Sequence, residues 1–370
     1  MSRLVPKLRF KEFSGEWNKK PINKILTIGS GKDYKHLSSG DIPVYGTGGY
    51  MLSVNDYLYD RESVCIGRKG TIDKPMLLTG KFWTVDTLFY THSFKNNIPK
   101  FIYALFLKIN WYKYNEASGV PSLSKVTIGK IDIFIPPPKE QQKIASCLSS
   151  LDALIEAQNK KVSVLKQHKK GLMQQLFPAE GKREPKLRFK AFSGEWVEKK
   201  LGECLGYLQP TKYLVSDTNY NDDYDTPVLT AGKTFILGYT NEKSGIFKNN
   251  LPVIIFDDFT TATKYVDFPF KAKSSAMKIL LAKESMNIKF MYELMQMIKY
   301  EVGNHERHWI SKFALLDVLI PTPKEQQKIA NTLSTLDNLI EAQDQKITQL
   351  KQHKKGLMQQ LFVSSEVAHE

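Results

Sequence analysis

The sequence KEQQKIASCLSSLDALIEAQNKKVSVLKQHKKGLMQQLF at residues 139–177 returns at residues 324–362 with 30 of 39 positions identical. A second repeat, PKLRFKEFSGEW at residues 6–17, returns at residues 185–196 as PKLRFKAFSGEW. The regions between the repeats have little sequence in common. An internal duplication of this kind indicates two structural units built on one plan. We therefore expect a shared frame that carries two different domains.

The long repeat is typical of a helix that pairs with another helix. Its apolar residues recur at alternating steps of four and three, the period of a coiled-coil seam. Pro138 and Pro323 stand where a helix can begin, and Thr322 can cap the second helix. The polar seam positions are Gln158, Lys169, Gln343 and Lys354. The predicted apolar seam consists of Ile144, Leu148, Leu151, Ile155, Val162, Leu165, Leu172, Leu176, Ile329, Leu333, Leu336, Ile340, Ile347, Leu350, Leu357 and Leu361.

The two predicted helices are natural partners for each other. In a parallel pair, each domain would enter at one end of the rod and leave at the other, about 50 Å away at ~1.5 Å per residue. In an antiparallel pair, each domain begins and ends at the same place. We therefore predict an α+β fold in which two mixed α/β domains are joined by an antiparallel coiled coil with pseudo-twofold symmetry. The predicted segments are a first domain (head one) at 1–138, a first long helix at 139–177, a linker at 178–184, a second domain (head two) at 185–323, a second long helix at 324–363 and a tail at 364–370.

Short patterns within the heads predict both strands and helices. The predicted strands of head one lie within residues 42–50 and 63–68, and a short helix covers 101–108. For head two the predicted elements are strands at 227–229, 253–256 and 275–281 and a helix from about 289 to 301.

The charge suggests a polyanionic partner for one half of the chain. The sequence has 53 Lys and Arg against 38 Asp and Glu, a net charge of +15. Residues 1–200 hold 34 basic and 18 acidic side chains, whereas residues 201–370 hold 19 and 20. Clustered cations favour nucleic acid because they release counterions from phosphates. Three cysteines without a metal or disulfide spacing, and no apolar run long enough for a membrane, lead us to expect a cytoplasmic protein with reduced thiols.

The sequence lacks the motifs of several enzyme classes, namely the GxxxxGK[ST] phosphate loop, the GxGxxG fingerprint, the GxSxG elbow and HExxH. Asp257 and Asp258 follow a predicted strand, which fits either a metal site or carboxylates that accept a hydrogen bond from a cytosine amino group. Because the histidines show no metal-ligand spacing, a polar cluster is interpreted as a contact loop: His305, Arg307, His308 and Trp309. We predict no catalytic residue and no metal site.

The remaining candidates fit recognition of duplex DNA. A cation beside glycine, as at Arg68 to Gly70 and at Lys233, can approach phosphates or base edges closely. Two dissimilar heads about 50 Å apart would contact a duplex at points ~10 to 15 base pairs apart, and would read different half-sites. The predicted DNA-contacting residues are Tyr45, Thr47, Gly48, Arg68, Lys69, Thr71, Ser118, Ser122, Lys233, Asp257, Asp258, Thr260, Lys264, His305, Arg307 and His308.

The order of head, long helix, head, long helix, with EQQKIA beginning at Glu140 and Glu325, resembles the specificity subunit of a type I restriction-modification system. SGVPSL at 118–123 and FWTVDTL at 82–88 resemble one common form of that family's target recognition domain. Head two lacks the SGVPS run, and its TPVLTAGK and IFDDFTT stretches resemble another class of the same domain.

The resemblance implies a non-catalytic subunit that binds an asymmetric bipartite sequence of double-stranded DNA. It would hold two methyltransferase subunits, which use S-adenosylmethionine to methylate adenine at N6 after flipping the base. Restriction subunits that use ATP and Mg would join them. The chain itself would bind no cofactor and no membrane. Its long helices, with their identical KQHKKGLMQQLF ends, would act as both ruler and docking surface.

From the residues alone, two other classes of protein stay open. The first is a self-contained DNA-modifying or DNA-cutting enzyme. The second is a coiled-coil scaffold that never touches DNA, which the near-neutral second half favours.

Overall fold

A computed structural model describes residues 4–230, 234–300 and 308–363. The chain forms two compact units, unit 1 of residues up to 159 and from 345 onward, and unit 2 of residues 160–344. Each unit contains one head, the first part of the long helix that follows this head, and the last part of the other long helix. The predicted tail at 364–370 lies outside the described residues. No helix in the described part of the chain is both long and apolar enough to cross a membrane.

Among the described residues, head one has ten strands and two short helices, and the first long helix follows it. The strands are β1 (Asn18–Pro21), β2 (Thr27–Ser30), β3 (Ser39–Gly46), β4 (Gly49–Val54), β5 (Tyr59–Asp60), β6 (Ser63–Gly67), β7 (Met76–Leu78), β8 (Lys81–Thr84), β9 (Leu88–His92) and β10 (Asp132–Ile135). The helices are α1 (Pro99–Phe106), α2 (Lys125–Lys130) and α3 (Pro138–Leu176), with 3-10 turns at Ile22–Lys24 and Trp111–Tyr114.

Head two, with the second long helix after it, repeats this plan. Its strands are β11 (Val197–Lys200), β12 (Leu205–Leu208), β13 (Thr226–Leu229), β14 (Ile236–Thr240), β15 (Val253–Asp257), β16 (Thr263–Val266), β17 (Lys271–Ala272), β18 (Met277–Ala282) and β19 (Asp317–Ile320). Its helices are α4 (Leu201–Cys204), α5 (Ile288–Met297), α6 (His308–Ser311) and α7 (Pro323–Gln360), with 3-10 turns at Pro210–Tyr213 and Phe313–Leu315.

The two heads share one strand order although their sequences differ, except that β5 of head one has no corresponding strand among the described residues of head two. Head one has sheets of order β2-β9-β6-β7 and β4-β3-β8-β5, and head two has β12-β18-β15-β16 and β14-β13-β17. In each head the first strand pairs antiparallel with the last strand, which directly precedes the long helix. These pairs are β1 with β10 in head one and β11 with β19 in head two. The parallel pairs β3 with β8 and β13 with β17 also correspond. The duplication therefore extends through the divergent regions, and the predicted mixed α/β heads are confirmed.

The predicted antiparallel coiled coil is confirmed by the contacts within each unit. In unit 2, Lys166 lies 3.5 Å from Asp344, and Lys169 lies 2.7 Å from Asp337, so the numbering falls on one helix as it rises on the other. In unit 1, Lys354 pairs with Asp152 in the corresponding way. All sixteen predicted seam residues are buried or half-buried. The two seam lysines are thus neutralised by carboxylates of the partner helix.

The two short repeats hold the beginnings of the long helices. Arg9 makes two hydrogen bonds to the carboxylate of Glu140, at 2.8 and 2.7 Å, and Arg188 makes two to Glu325, both at 2.8 Å. Both glutamates are 1% exposed and lie in the first turn of their helix, where a negative charge is favoured. Bidentate pairing compensates the cost of burying the charge. The repeated PKLRF and EQQ motifs are therefore two halves of one contact.

The ends of the long helices are part of the head cores. Phe362, at the end of the second repeat, stacks on Phe101 of head one with ring centroids 5.2 Å apart. Phe177, at the end of the first repeat, stacks on Phe290 of head two at 5.4 Å. The identity of the apolar residues in the LMQQLF ends is explained by this packing, whereas the two glutamines and most of the preceding KQHKK residues are exposed. Each head core thus contains a residue that follows the other head in sequence.

Candidate nucleic-acid interface

Two loops of head one meet and bring together several predicted contact residues. The N–H of Gly70 donates to the carbonyl of Pro121 at 2.8 Å, and the N–H of Leu123 donates to the carbonyl of Arg68 at 2.8 Å. Lys69 and Ser122 form an isolated β-bridge between these hydrogen bonds. The cations of the first loop are therefore held against the SGVPS segment, as neighbours on one surface.

The FWTVDTL segment is hydrogen-bonded to the loop that carries Arg68 and Lys69. The carbonyl of Thr87 accepts the N–H groups of both Arg68 and Lys69, at 2.7 and 3.3 Å. The Trp83 side chain is buried, and its indole N–H donates to the carbonyl of Lys32 at 2.8 Å. This segment acts as scaffold for the loop that carries the charges.

The β3–β4 hairpin borders the same loop. Gly70 has φ +94°, and a Cβ built on it would lie 3.5 Å from the hydroxyl of Thr47. Gly48 is exposed at the hairpin tip, whereas Tyr45 is half-buried and packs edge-on against Tyr50. Thr71 is half-buried, and Ser118 is exposed. The structure thus groups Thr47 with Arg68, Lys69 and Ser122, and these assignments remain predictions.

The loop that carries Arg68 and Lys69 and the segment 116–125 line an open cleft of about 730 Å³. The cleft is rich in positive charge. Sequence reasoning missed two charged residues there, Glu116 and Lys125. Lys125 is the first residue of α2, and Ser124 caps that helix by accepting the N–H of Thr127 at 3.1 Å. A serine able to cap a helix, directly before this lysine, was a usable signal in the sequence. The lining residues are Ser30, Arg68, Lys69, Phe89, Glu116, Ala117, Val120, Ser122, Leu123, Ser124 and Lys125.

In head two the structure corrects the predicted role of Asp258. Its carboxylate is 1% exposed and lies 3.1 Å from the ammonium of Lys278, which is equally buried. It also accepts the N–H of Trp309 at 2.9 Å. A carboxylate with these internal partners is not available to a DNA base, so the prediction of a DNA contact is wrong in this structure.

Asp257 and His308 are also internal. One Asp257 oxygen accepts the N–H groups of Phe259 and Thr260, at 2.9 and 3.3 Å, and this fixes the turn after β15. His308 is 2% exposed, and its ring Nδ1 lies 3.3 Å from the hydroxyl of Tyr300. The predicted DNA contacts of these two residues are likewise corrected to structural roles.

The other predicted residues of head two divide into exposed and undescribed ones. Thr260 and Lys264 are exposed, and the Lys264 ammonium lies 5.8 Å from the ring centroid of Phe235. Lys233, His305 and Arg307 lie outside the described residues. The described part of head two does bring Asp258 and His308 together, since the N–H of His308 donates to the carbonyl of Asp258 at 2.9 Å, but both residues are buried and, unlike the group in head one, do not lie on a surface.

Comparison with known proteins places both heads in one family. A family model described as the type I restriction modification DNA specificity domain matches residues 14–167 and again residues 193–352. The "Type I restriction enzyme EcoR124I/EcoR124II specificity subunit" of Escherichia coli is 51% identical over 139 residues, which cover 36% of this chain and 34% of that protein. The chain thus spans about a third of that relative's length.

Two further relatives cover most of the chain. The MjaVIII specificity subunit of Methanocaldococcus jannaschii is 27% identical over 332 residues, 81% of this chain and 75% of that protein. A crystal structure of a type I restriction-modification S subunit from M. genitalium shares the fold, with a TM-score of 0.70 at 14% identity over 97% of this chain and 99% of that one. With two matches of the family model across most of its length, the chain belongs to the type I restriction-modification DNA specificity family.

Proposed function

We propose that this chain is a specificity subunit that reads an asymmetric bipartite sequence in double-stranded DNA, one half-site with each head. The observation that carries the proposal is that two heads of one strand order present different loop surfaces. Because the heads share a frame but differ in their loops, they are suited to two different half-sites.

The cleft of head one is the part of the proposed DNA surface with the strongest electrostatic support. Arg68, Lys69 and Lys125 line it, and all three are exposed. Such cations raise the affinity of a protein for any duplex, because they release counterions from the DNA phosphates. Hydrogen bonds to base edges provide the sequence preference. Head one is therefore proposed to supply most of the phosphate attraction, because head two has nearly balanced charges.

We further propose that the chain performs no chemistry itself. It would hold two methyltransferase subunits, which use S-adenosylmethionine, and restriction subunits, which use ATP and Mg. The exposed Lys and His side chains of the KQHKK segments are suitable docking positions, because the apolar residues of the adjoining LMQQLF ends are buried or half-buried in the head cores. A cytoplasmic location follows from this function, since the DNA to be read lies there.

The long helices are proposed to set the gap between the half-sites. Each helix begins in one unit and ends in the other, so the helix links the two units covalently. Adding four residues after Leu165 would lengthen one helix by about 6 Å. The preferred gap should then grow by roughly one or two base pairs.

The experiment is selection of binding sites from randomised duplex DNA by the full chain, at several salt concentrations. The expected result is a motif of two different half-sites with a fixed gap. Binding without sequence preference, or no binding at low salt, would favour the scaffold function. Methyl transfer or cleavage by the purified chain alone, with S-adenosylmethionine or magnesium, would favour the self-contained enzyme.

A further inference from the structure

The cleft of head one contains one negative side chain among the described residues that line it. That residue is Glu116, and it shares the cleft with Arg68, Lys69 and Lys125. A carboxylate on a surface that faces phosphates lowers affinity for every duplex by repulsion. An exposed carboxylate among these cations therefore requires a role that offsets this repulsion.

Glu116 is held in place by the surrounding loop. Its N–H donates to the carbonyl of Ser122 at 3.0 Å, and its carboxylate accepts the N–H of Ser124 at 3.2 Å. Hydrogen bonds from the hydroxyls of Thr127 and Ser124 lower the pKa of the Glu116 carboxyl, so it is ionised at neutral pH. The residue is exposed, which leaves room for a ligand at the remaining lone pairs.

The segment around Glu116 is itself anchored. The side-chain oxygen of Asn115 accepts the N–H groups of Ser122 and Ala117, at 2.8 and 3.2 Å. Through Pro121, the same segment is hydrogen-bonded to the loop that carries Arg68 and Lys69. The carboxylate thus has a fixed position relative to the cations, as a side chain that reads a base requires.

We propose that Glu116 is a specificity-determining residue of head one, which accepts a hydrogen bond from the exocyclic amino group of a cytosine in the major groove. Cytosine presents its N4 amino donor there, whereas adenine presents N7 as an acceptor beside its N6 donor. A carboxylate has only hydrogen-bond acceptors, so the N7 acceptor of adenine repels it while the N6 amino group attracts it. Guanine and thymine present acceptors alone. The inference rests on the proposed function, since it assigns one base contact within the proposed half-site of head one.

The test is site selection from randomised duplex DNA with the full chain, its Glu116→Gln variant and its Glu62→Gln variant. Gln keeps the oxygen that accepts the Ser124 N–H but adds a donor, which suits adenine. Glu62 is an acidic residue of head one outside the cleft lining and serves as the matched control. We expect cytosine at one position of the head-one half-site, and a loss of about tenfold in that preference or a change to adenine in Glu116→Gln alone.

A second measurement changes the DNA base and compares the wild-type chain with Glu116→Gln. Replacing that cytosine by 2-pyrimidinone removes its amino group, and should weaken binding of the wild-type chain about tenfold more than binding of Glu116→Gln. Unchanged base preferences in Glu116→Gln, or a uniform gain in affinity for all sequences, would show that Glu116 only shapes the loop and would overturn the inference. If the wild-type chain selected no motif at all, the proposed function would fail as well.

Discussion

Replacing Phe362 by alanine should destabilise head one, although this residue lies at the far end of the sequence from it. Phe362 is 2% exposed, stacks on Phe101 and meets Trp17 edge-on at 6.2 Å. Truncating a buried phenylalanine costs about 3 to 5 kcal/mol, because burial is lost and a cavity remains. Phe177→Ala should cost head two a similar amount, since Phe177 is 3% exposed and stacks on Phe290.

Hydrogen exchange of the full chain, resolved by mass spectrometry, measures both effects separately. At about 1.4 kcal/mol for each factor of ten, exchange of the protected amides in the affected head should quicken at least ~100-fold. Phe362→Ala should act on residues 18–135, and Phe177→Ala on residues 197–320. Gln359→Ala, at an exposed neighbouring position, is the control. Faster exchange in head two after Phe362→Ala, or no change in either head, would refute the crossed packing of the helix ends.

Three further predictions follow from individual contacts. Arg9→Ala leaves the carboxylate of Glu140 buried without its bidentate partner, and denaturant unfolding should show a loss of about 3 to 5 kcal/mol that Glu140→Gln in the same chain partly restores. Lys69→Ala should weaken binding to all DNA sequences and lower the slope of log affinity against log salt by about one, as a titration at several salt concentrations would show. Asp258→Asn should lower the free energy of unfolding of head two by several kcal/mol, because the buried Lys278 loses its charged partner. The melting temperature should fall accordingly, and an unchanged melting temperature would count against this ion pair.

The helix pair could be predicted from the sequence because the apolar spacing that specifies it lies within a single segment and occurs twice. The four-and-three spacing appears twice, and the connection of each helix to its head favours one orientation. Antiparallel pairing then places Lys169 opposite Asp337, and Lys354 opposite Asp152. The predicted strands at 227–229 and 253–256 and the helix at 101–108 also correspond to β13, β15 and α1 within a few residues.

The contact between the short and long repeats has a signature in the sequence. PKLRF and EQQ are duplicated together while the heads between them diverge, which is the pattern expected of two segments that touch. Arg9 with Glu140 and Arg188 with Glu325 are that contact. The common strand order of the heads could not be predicted, since their loops and strand sequences differ and the order depends on long-range pairing.

The candidate site in head two was misjudged because burial of a charge depends on its partner. Asp257 and Asp258 follow an apolar strand, and that pattern alone fits a surface turn. In the structure β18 lies beside β15 and brings Lys278 to Asp258. A lysine within the apolar run MKILLA was the available sign of a buried ion pair, yet which carboxylate it meets is decided by strand pairing.

We propose that one chain with two different heads directs DNA methylation to a two-part target. The most direct measurement is to map N6-methyladenine across the genome of the host with and without this gene. We predict one motif of two unlike half-sites with a fixed gap, which disappears when the gene is removed and returns when the gene is restored. A methylation pattern that does not depend on the gene, or a dependent motif that is a single continuous block, would contradict the account.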